Sequence, residues 1–371
     1  MKILINTSNL ILGGGVQVAL SFLDELRDFG KDEYLVLLSN SISSQLDKNE
    51  FPGNFKFFHI DKTPARVFTR RCIIRQFDNI VKLEKPDVVF TVFGPSYWRP
   101  KVPHVMGFAL PWRINPESKV FKMLSLKGRL KTFLLQSYQR NYIKKDADYY
   151  IVETADVKNR LAKYFNIEKN KIQVVSNTYN SVFDSYQVHK KKEDIFTFIT
   201  ISANYLHKNL TILNDVVPIL RNRNVVCRFY LTIPKTEFLK KYKNLSDYII
   251  NLGPVKIADC PSLYNKADAL FLPTLLECFS ASYPEAMKME IPVLTSDLPF
   301  AKSICGDAAL YFDPLSPIDI ADKIQNIIQS PDLRRELVEK GNKQLLKFPC
   351  SKERAAHYIS ICKDVGQLYE V

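Results

Sequence analysis

Short apolar runs alternate along this chain with longer stretches in which apolar residues recur at helical spacing. Apolar runs bounded by turn residues predict buried strands, and the longer stretches predict helices that cover them. In the first half we predict strands at 2–6, 34–38, 55–59, 87–92, 102–106, 149–152 and 171–175. Strands that alternate with helices in this way predict a parallel, doubly wound α/β sheet.

A polar stretch at 177–194 interrupts this alternation, and a strand at 195–201 starts it again. We interpret the polar stretch as a linker between two domains, which a chain of 371 residues can accommodate. The predicted organisation is a first domain at 1–180, a second domain at 181–350 and a final helix at 351–371.

The stretch 268–314 combines strand and helix signals with two acids. Glu277 follows a buried strand, and Glu285 comes directly after Pro284, which favours the first turn of a helix. Parallel α/β sheets bind ligands outside the carboxyl ends of their strands, where two carboxylates could accept hydrogen bonds from vicinal sugar hydroxyls. Spacing alone favours a simpler alternative, in which Glu285 complements the helix dipole and Glu277 is a solvated loop residue.

Three glycines, Gly13 to Gly15, separate the first predicted strand from a helical pattern. This arrangement is typical of a loop that cradles phosphate or admits a ligand, and a flexible turn is an equal alternative. It is not the dinucleotide-binding pattern G-x-G-x-x-G, because Val18 stands where the last glycine would be required. The pattern therefore disfavours a dehydrogenase.

Two further polar residues are candidates for ligand contacts. His104 is predicted at the end of a strand at the same sheet edge, where it could hydrogen-bond a sugar hydroxyl; a structural histidine is the alternative. Lys208 precedes a helical pattern that starts at Leu210, so its ammonium could add to the helix dipole in binding phosphate. An ordinary surface lysine is the alternative there.

The composition changes this picture in two respects. No apolar run approaches the roughly 20 residues that span a bilayer, and the amino-terminal stretch is too short for a signal peptide, so we expect a cytoplasmic protein. The 7 cysteines are scattered without a C-x-x-C pair and the 5 histidines are dispersed. Neither a zinc site nor a disulfide framework is indicated, and no metal site is predicted.

The net charge of +13 lies mostly in the first 180 residues, which carry 28 basic against 17 acidic residues. Within them, 118–145 holds 8 basic residues, no acid and many apolar residues, and 67–85 contains Arg70, Arg71 and Arg75. Basic amphipathic stretches are typical of elements that face an anionic membrane surface. A core-packed helix with a solvated basic face is the alternative. Nucleic acid is not expected, since no recognition pattern for it is present.

The stretch around the two acids resembles a known family. Glu277-x7-Glu285, followed by Ala286-Met287, IPVLTSD and GDAALYFDP, is similar to the signature region of the family-4 retaining glycosyltransferases (glycosyl transferases group 1). The resemblance implies the GT-B fold: an α/β protein with two Rossmann-like domains whose parallel sheets face a central cleft. It also implies acceptor binding by the first domain, donor binding by the second, and a C-terminal helix that crosses back to the first domain.

The resemblance further implies roles for individual residues. Glu277, at the donor hexose, and Lys208, on the diphosphate, would be catalytic, while Glu285 would hold the ribose hydroxyls. The other implied donor-binding residues are Gly14, Gly15, Asn204, Gly253, Val255, Phe279 and Ser280. His104 is the predicted acceptor contact. Two departures from the family stand out: Ser280 replaces a glycine, and Ala203-Asn204 replace a Gly-Arg pair.

The implied reaction moves a sugar, with retention, from a nucleotide-sugar donor to a saccharide or polyprenyl-linked acceptor in bacterial surface polysaccharide synthesis. It requires no cofactor or metal, and the expected location is cytoplasmic, peripheral on the inner face of the membrane. One alternative is a GT-B nucleotide-sugar 2-epimerase. Another is a non-catalytic protein that binds polyanions or membranes.

Overall fold

The computed structural model describes residues 1–188, 195–242 and 245–369. The part of the predicted linker at 189–194, with its lysine run, lies outside the described residues. The chain divides into two compact units. The first comprises Met1–Pro116, Leu124–Asn177 and the chain from Cys350 onward, and the second comprises Glu117–Met123 and Thr178–Pro349.

The first unit contains a seven-stranded sheet in the order β3-β2-β1-β4-β5-β6-β7, and every neighbouring pair is parallel. Its strands are β1 (Lys2–Asn6), β2 (Glu33–Ser39), β3 (Phe55–Ile60), β4 (Val88–Thr91), β5 (His104–Gly107), β6 (Tyr149–Val152) and β7 (Ile172–Val174). The central strands are buried on both faces, which explains their continuous apolar sequences.

The second unit contains a six-stranded parallel sheet in the order β10-β9-β8-β11-β12-β13. Its strands are β8 (Thr197–Thr200), β9 (Arg228–Leu231), β10 (Ile249–Asn251), β11 (Ala269–Leu272), β12 (Val293–Ser296) and β13 (Ala309–Phe312). The segment Glu117–Met123 packs with this unit and buries Val120 completely. The sequence pattern did not predict this contribution from the first half of the chain.

Helices cover both sheets. They are α1 (Gly14–Glu25), α2 (Asn40–Ser43), α3 (Val67–Glu84), α4 (Leu126–Asp146), α5 (Ala155–Phe165), α6 (Leu213–Asn222), α7 (Lys235–Tyr242), α8 (Cys260–Tyr264), α9 (Ser282–Lys288), α10 (Pro299–Cys305), α11 (Pro317–Gln329), α12 (Pro331–Leu345) and α13 (Ser351–Gln367). No helix within the described ranges is long and apolar enough to cross a bilayer.

The last helix, α13, belongs to the first unit, which confirms the predicted return of the chain. Cys362 and Val365 of this helix lie in the core that covers β1 and β4. At its amino end the buried guanidinium of Arg354 donates hydrogen bonds to Asn177 Oδ1 and, at 2.9 Å, to Ser21 Oγ. The sheet topology and this helix confirm the predicted doubly wound α/β fold class.

One basic residue predicted to be at the surface is buried. Arg70 of α3 is 7% exposed, and its guanidinium lies 4.6 Å from the ring centre of Tyr97 and 4.9 Å from that of Tyr142. It also donates hydrogen bonds to the hydroxyls of Tyr138 and Tyr142 on α4. Cation–π contacts and hydrogen bonds therefore fix α4 to α3.

Candidate functional site

An ion pair joins two loops at the carboxyl edge of the second sheet. Lys208 Nζ, in the loop after β8, lies 2.6 Å from Glu277 Oε1, in the loop after β11. The two side chains are only 14% and 10% exposed, so solvent screens their attraction much less than that of a surface pair. The structure thus brings together the two residues that were predicted to be catalytic.

Thr274, which the sequence pattern did not identify, connects the same pair of loops. Its hydroxyl lies 3.1 Å from the carbonyl oxygen of His207 and 3.0 Å from Glu277 Oε1. The neighbouring N–H of Leu275 donates to the His207 carbonyl at 2.7 Å. Thr274 is fully buried. A hydroxyl residue that follows a predicted buried strand and its closing proline, at the edge where ligands bind, is the sequence signal that could have identified it.

Glu285 lies in the first turn of α9, as predicted, and is almost completely buried. Tyr264 at the end of α8 donates a hydrogen bond to Glu285 Oε2 at 2.9 Å. Burial raises the pKa of Glu285 to about 7, although the Tyr264 hydrogen bond and the charge of Lys208 both lower it. Lys208 therefore lies close enough to influence both acids.

The raised pKa of Glu285 predicts a pH-dependent stability. The unfolded carboxyl releases its proton near pH 4.5, whereas the folded one keeps it up to about 7. The contribution of Glu285 to the unfolding free energy is therefore complete below pH 4.5 and falls as pH rises towards 7, by on the order of 3 kcal/mol. We expect Glu285→Gln to be close to wild type at pH 5 and more stable than wild type above pH 7.

Chemical denaturation of both proteins across pH 5 to 8 measures this difference. Glu339→Gln, which replaces an exposed acid on α12, is the matched control and should follow the wild-type curve. A constant difference between Glu285→Gln and wild type over the whole range would contradict the assignment.

The surroundings of Lys208 differ from the expectation of a helix that starts at Leu210. Lys208 ends one 3₁₀ turn, a second follows, and α6 begins only at Leu213. The cause is Asn209, whose left-handed backbone (φ 55°) interrupts the helix and whose buried amide donates to the Pro314 carbonyl at 2.8 Å. The ammonium of Lys208 therefore does not lie directly at the amino terminus of an α-helix.

Two of the predicted donor-binding residues already have protein partners. Asn204, at the place of the missing arginine, donates a hydrogen bond from its amide to Glu237 Oε2 at 2.7 Å. Ser280 is buried, and its carbonyl accepts the N–H of Tyr283 at 3.2 Å where α9 begins. Ser280 thus shapes the turn between Glu277 and α9.

The remaining predicted donor-binding residues of the second unit follow β10 and β11. Gly253 has φ 75°, a conformation that glycine adopts without strain, and no atom lies within 4 Å of where its Cβ would be. Val255 packs against the buried cluster beneath α9. Phe279 is 9% exposed and meets the Phe348 ring edge-on at 6.0 Å. These positions leave an open backbone stretch after β10 and an apolar wall after β11.

In the first unit the glycine-rich loop leads directly into α1. Gly13 has φ 78°, and Gly14 and Gly15 form the first turn of the helix. The preceding Ile11 and Leu12 are 51% and 78% exposed. The loop therefore presents backbone N–H groups and two apolar side chains at the carboxyl end of β1.

The predicted position of His104 is wrong. It is the first residue of β5, not the last, and its side chain is fully buried. Its Nδ1 donates to the Asp146 carbonyl, and its Nε2 accepts the Thr91 hydroxyl at 2.8 Å. Burial lowers the pKa of His104 to about 4, so it is a neutral structural residue. Because both ring nitrogens have partners, it does not fit the predicted contact with an acceptor.

Within the described ranges no group of three or more His, Cys, Asp or Glu side chains could hold a metal ion. All 7 cysteines are free thiols. The charged groups that the two loops and α9 bring together are Lys208, Glu277 and Glu285.

A known protein family matches the part of the chain that contains this site. The glycosyl transferases group 1 family matches residues 183–344, which include both loops and α9. The O-antigen chain mannosyltransferase RfbU of Salmonella typhimurium is 28% identical over 213 residues, which cover 54% of this chain and 58% of RfbU. The chain thus aligns with little more than half the length of that relative.

Solved structures share the fold over the whole chain. A glycosyltransferase from Rickettsia africae superposes with a TM-score of 0.73 at 15% identity, covering 98% of both chains. Anabaena HepE, solved with UDP and glucose, gives a TM-score of 0.72 at 13% identity, covering 98% of this chain and 100% of HepE. The fold is that of the GT-B glycosyltransferases, and residues 183–344 of the chain match the glycosyl transferases group 1 family.

Proposed function

We propose that this protein is a retaining glycosyltransferase that moves a sugar from a nucleotide-sugar donor to a saccharide or lipid-linked saccharide. The observation that carries the proposal is the joint placement of Lys208, Glu277 and Glu285 at one edge of the second sheet. The mannosyltransferase relative and the UDP and glucose held by HepE support the same reading. Synthesis of a bacterial surface polysaccharide is the process we propose for it.

Each charged group of the site would contact a different part of the donor. Glu285, held by Tyr264, would accept hydrogen bonds from the ribose hydroxyls of the nucleotide. Lys208 would face the diphosphate. Glu277 already binds Lys208 through Oε1, and its Oε2 has no partner among the described residues, so this oxygen is available for a hydroxyl of the transferred sugar.

The chemistry then rests on positioning and on charge. The bond between the anomeric carbon and the diphosphate oxygen breaks, and the acceptor oxygen bonds to the same face of that carbon. The acceptor proton moves to the departing diphosphate oxygen. Negative charge grows on the diphosphate during this step, and an ammonium fixed beforehand by Glu277 stabilises it without reorganising.

A nucleotide-release assay with UDP-, GDP- and ADP-sugars tests the activity. We expect one donor class to release nucleotide faster when a saccharide or lipid-linked acceptor is added. Equal turnover with and without acceptor would instead indicate an epimerase. The absence of turnover and of binding with every donor would contradict the proposal.

We further propose that α4 rests on an anionic membrane surface at the inner face of the cytoplasmic membrane. Its apolar side chains point outward, opposite to the usual arrangement: Leu126, Leu130, Phe133 and Leu134 are 82%, 61%, 63% and 59% exposed. Large contiguous apolar surfaces of this kind mark interaction sites.

The apolar side chains of α4 can point outward because the opposite face of the helix packs against the protein through polar groups. Gln136 donates to the Trp112 carbonyl at 2.8 Å, and Gln139 donates to the Tyr97 hydroxyl at 2.9 Å. Four cations flank the exposed apolar face in the helix: Lys127, Arg129, Lys131 and Arg140. Each contributes about 1 kcal/mol near an anionic surface.

Co-sedimentation with lipid vesicles tests this second proposal. We expect binding to increase with anionic lipid content, and Leu130→Ser/Phe133→Ser to weaken it at least tenfold because the apolar face is lost. Leu346→Ser, which alters an exposed leucine (86%) of the second unit, is the matched control. Vesicle binding that does not depend on the anionic lipid content would contradict the assignment.

A further inference from the structure

A cavity of about 450 Å³ lies in the second unit, at the carboxyl ends of β12 and β13. Its walls come from the loops after these strands, from the start of α11 and from the segment Glu117–Met123. Its polar lining residues are Lys119, Asp297, Tyr311, Asp313, Asp319 and Lys323. The volume is within the range of roughly 300–1,000 Å³ that proteins use for small ligands.

Each carboxylate of this cavity has a partner in the protein. Asp297 Oδ1 pairs with Lys302 Nζ at 2.6 Å. Asp313 Oδ1 accepts the N–H of Leu315 at 3.0 Å, and Asp319 Oδ2 accepts the N–H of Asp313 at 2.7 Å. The backbone N–H groups orient Asp313 and Asp319, which lowers the cost of ordering these two acceptors when a ligand binds.

The lysines provide the complementary donors. Lys119 and Lys323 make no hydrogen bond or ion pair to any residue that the structure describes. With Lys302 included, three ammonium groups balance three carboxylates, so a charged ligand gains little net attraction. Hydroxyl groups both donate and accept hydrogen bonds and therefore suit both kinds of wall, while Leu298 and Pro314 add apolar contact area.

Two hydrogen bonds connect this cavity with the proposed donor site. Asn209, next to Lys208, donates to the carbonyl of the cavity residue Pro314 at 2.8 Å. Ser118, next to Lys119, donates to the Leu275 carbonyl at 3.3 Å, in the loop that carries Glu277. These hydrogen bonds therefore join the chain segments that form the cavity wall to both loops of the Lys208–Glu277 ion pair.

We propose that this cavity is a subsite for an uncharged saccharide of the acceptor, with Lys119 and Lys323 as its hydrogen-bond donors. This inference rests on the proposed glycosyltransferase function, and it places an acceptor subsite in the second unit, whereas the family resemblance implies acceptor binding by the first domain. It also gives the segment Glu117–Met123 a role, because this segment contributes Lys119 to a unit otherwise formed by residues after 177.

Saturation-transfer difference NMR tests the subsite with methyl α-mannoside, methyl α-glucoside and methyl α-galactoside as probes. We expect at least one glycoside to bind the wild-type protein, and Lys119→Gln/Lys323→Gln to weaken its binding about tenfold, since two charged hydrogen bonds are lost. Because neither lysine has a protein partner, the double variant should keep its fold. Lys266→Gln/Lys343→Gln, with the same charge change on exposed or partly exposed lysines of the same unit, should bind like wild type.

Three results would overturn the subsite: no signal from any glycoside, equal binding by the double variant, or a preference for mannose 6-phosphate over the neutral probes. Thermal stabilisation by nucleotide sugars, measured on the same samples, separates this inference from the proposed function. The double variant should retain that stabilisation. Glycoside binding in a protein that responds to no nucleotide sugar would refute the proposed activity and leave the saccharide site in place.

Discussion

Glu285→Ala should abolish the thermal stabilisation that a nucleotide sugar gives to the wild-type protein and lower kcat/KM about 100-fold. The ribose hydroxyls would lose a charged acceptor in a buried site, and hydrogen bonds to charged groups contribute about 1.5–3 kcal/mol each. A loss of about 3 kcal/mol corresponds to roughly two powers of ten in rate. Thermal-shift and nucleotide-release measurements with UDP-, GDP- and ADP-sugars check both effects.

Two further variants separate a loss of donor binding from a loss of the fold. Glu285→Gln keeps the shape of the side chain and can still accept the Tyr264 hydrogen bond, so it should fold and still respond weakly to donors. Glu339→Ala, on the exposed face of α12, should respond like wild type. If Glu285→Gln and Glu285→Ala both respond like wild type, Glu285 does not contact the donor.

Lys208→Met should lower kcat by two to three powers of ten, because it removes the charge that faces the departing diphosphate. It should also destabilise the fold by about 2 kcal/mol, since Glu277 would remain largely buried without its cation. Steady-state kinetics and chemical denaturation measure these two effects separately.

A double variant distinguishes the catalytic role of Lys208 from its structural role. Lys208→Met/Glu277→Gln removes both charges, and we expect it to recover most of the lost stability but none of the activity. Lys266→Met, at an exposed lysine of the same unit, should change neither. Recovery of activity together with stability would show that Lys208 only supports the loops.

The sequence predicted the parallel sheets well because their central strands are continuous apolar runs, which are typical of parallel sheets covered by helices on both faces. It also placed Glu285 correctly, since the preceding Pro284 restricts the backbone locally. The direct contact between Lys208 and Glu277 could not be derived from spacing, because the two are 69 positions apart. Only the family resemblance connected them.

The errors have identifiable physical causes. His104 was assigned to the end of a strand predicted at 102–106, but β5 begins at His104, and a shift of two residues exchanges the two ends of a short strand. Arg70 was taken for a surface charge because the sequence does not show that Tyr97, Tyr138 and Tyr142 surround it. The first error is therefore one of strand boundaries, and the second comes from tertiary contacts between distant segments.

The position of α13 in the first unit has a consequence for synthesis on the ribosome. Cys362 and Val365 fill the core over β1 and β4, so this core stays incomplete until residues beyond 350 have left the exit tunnel. Nearly all of the second unit, Thr178–Pro349, is contiguous and emerges earlier. The half of the protein that is translated first is therefore the half that finishes folding last, and nascent chains stalled near residue 349 should expose this apolar surface to chaperones.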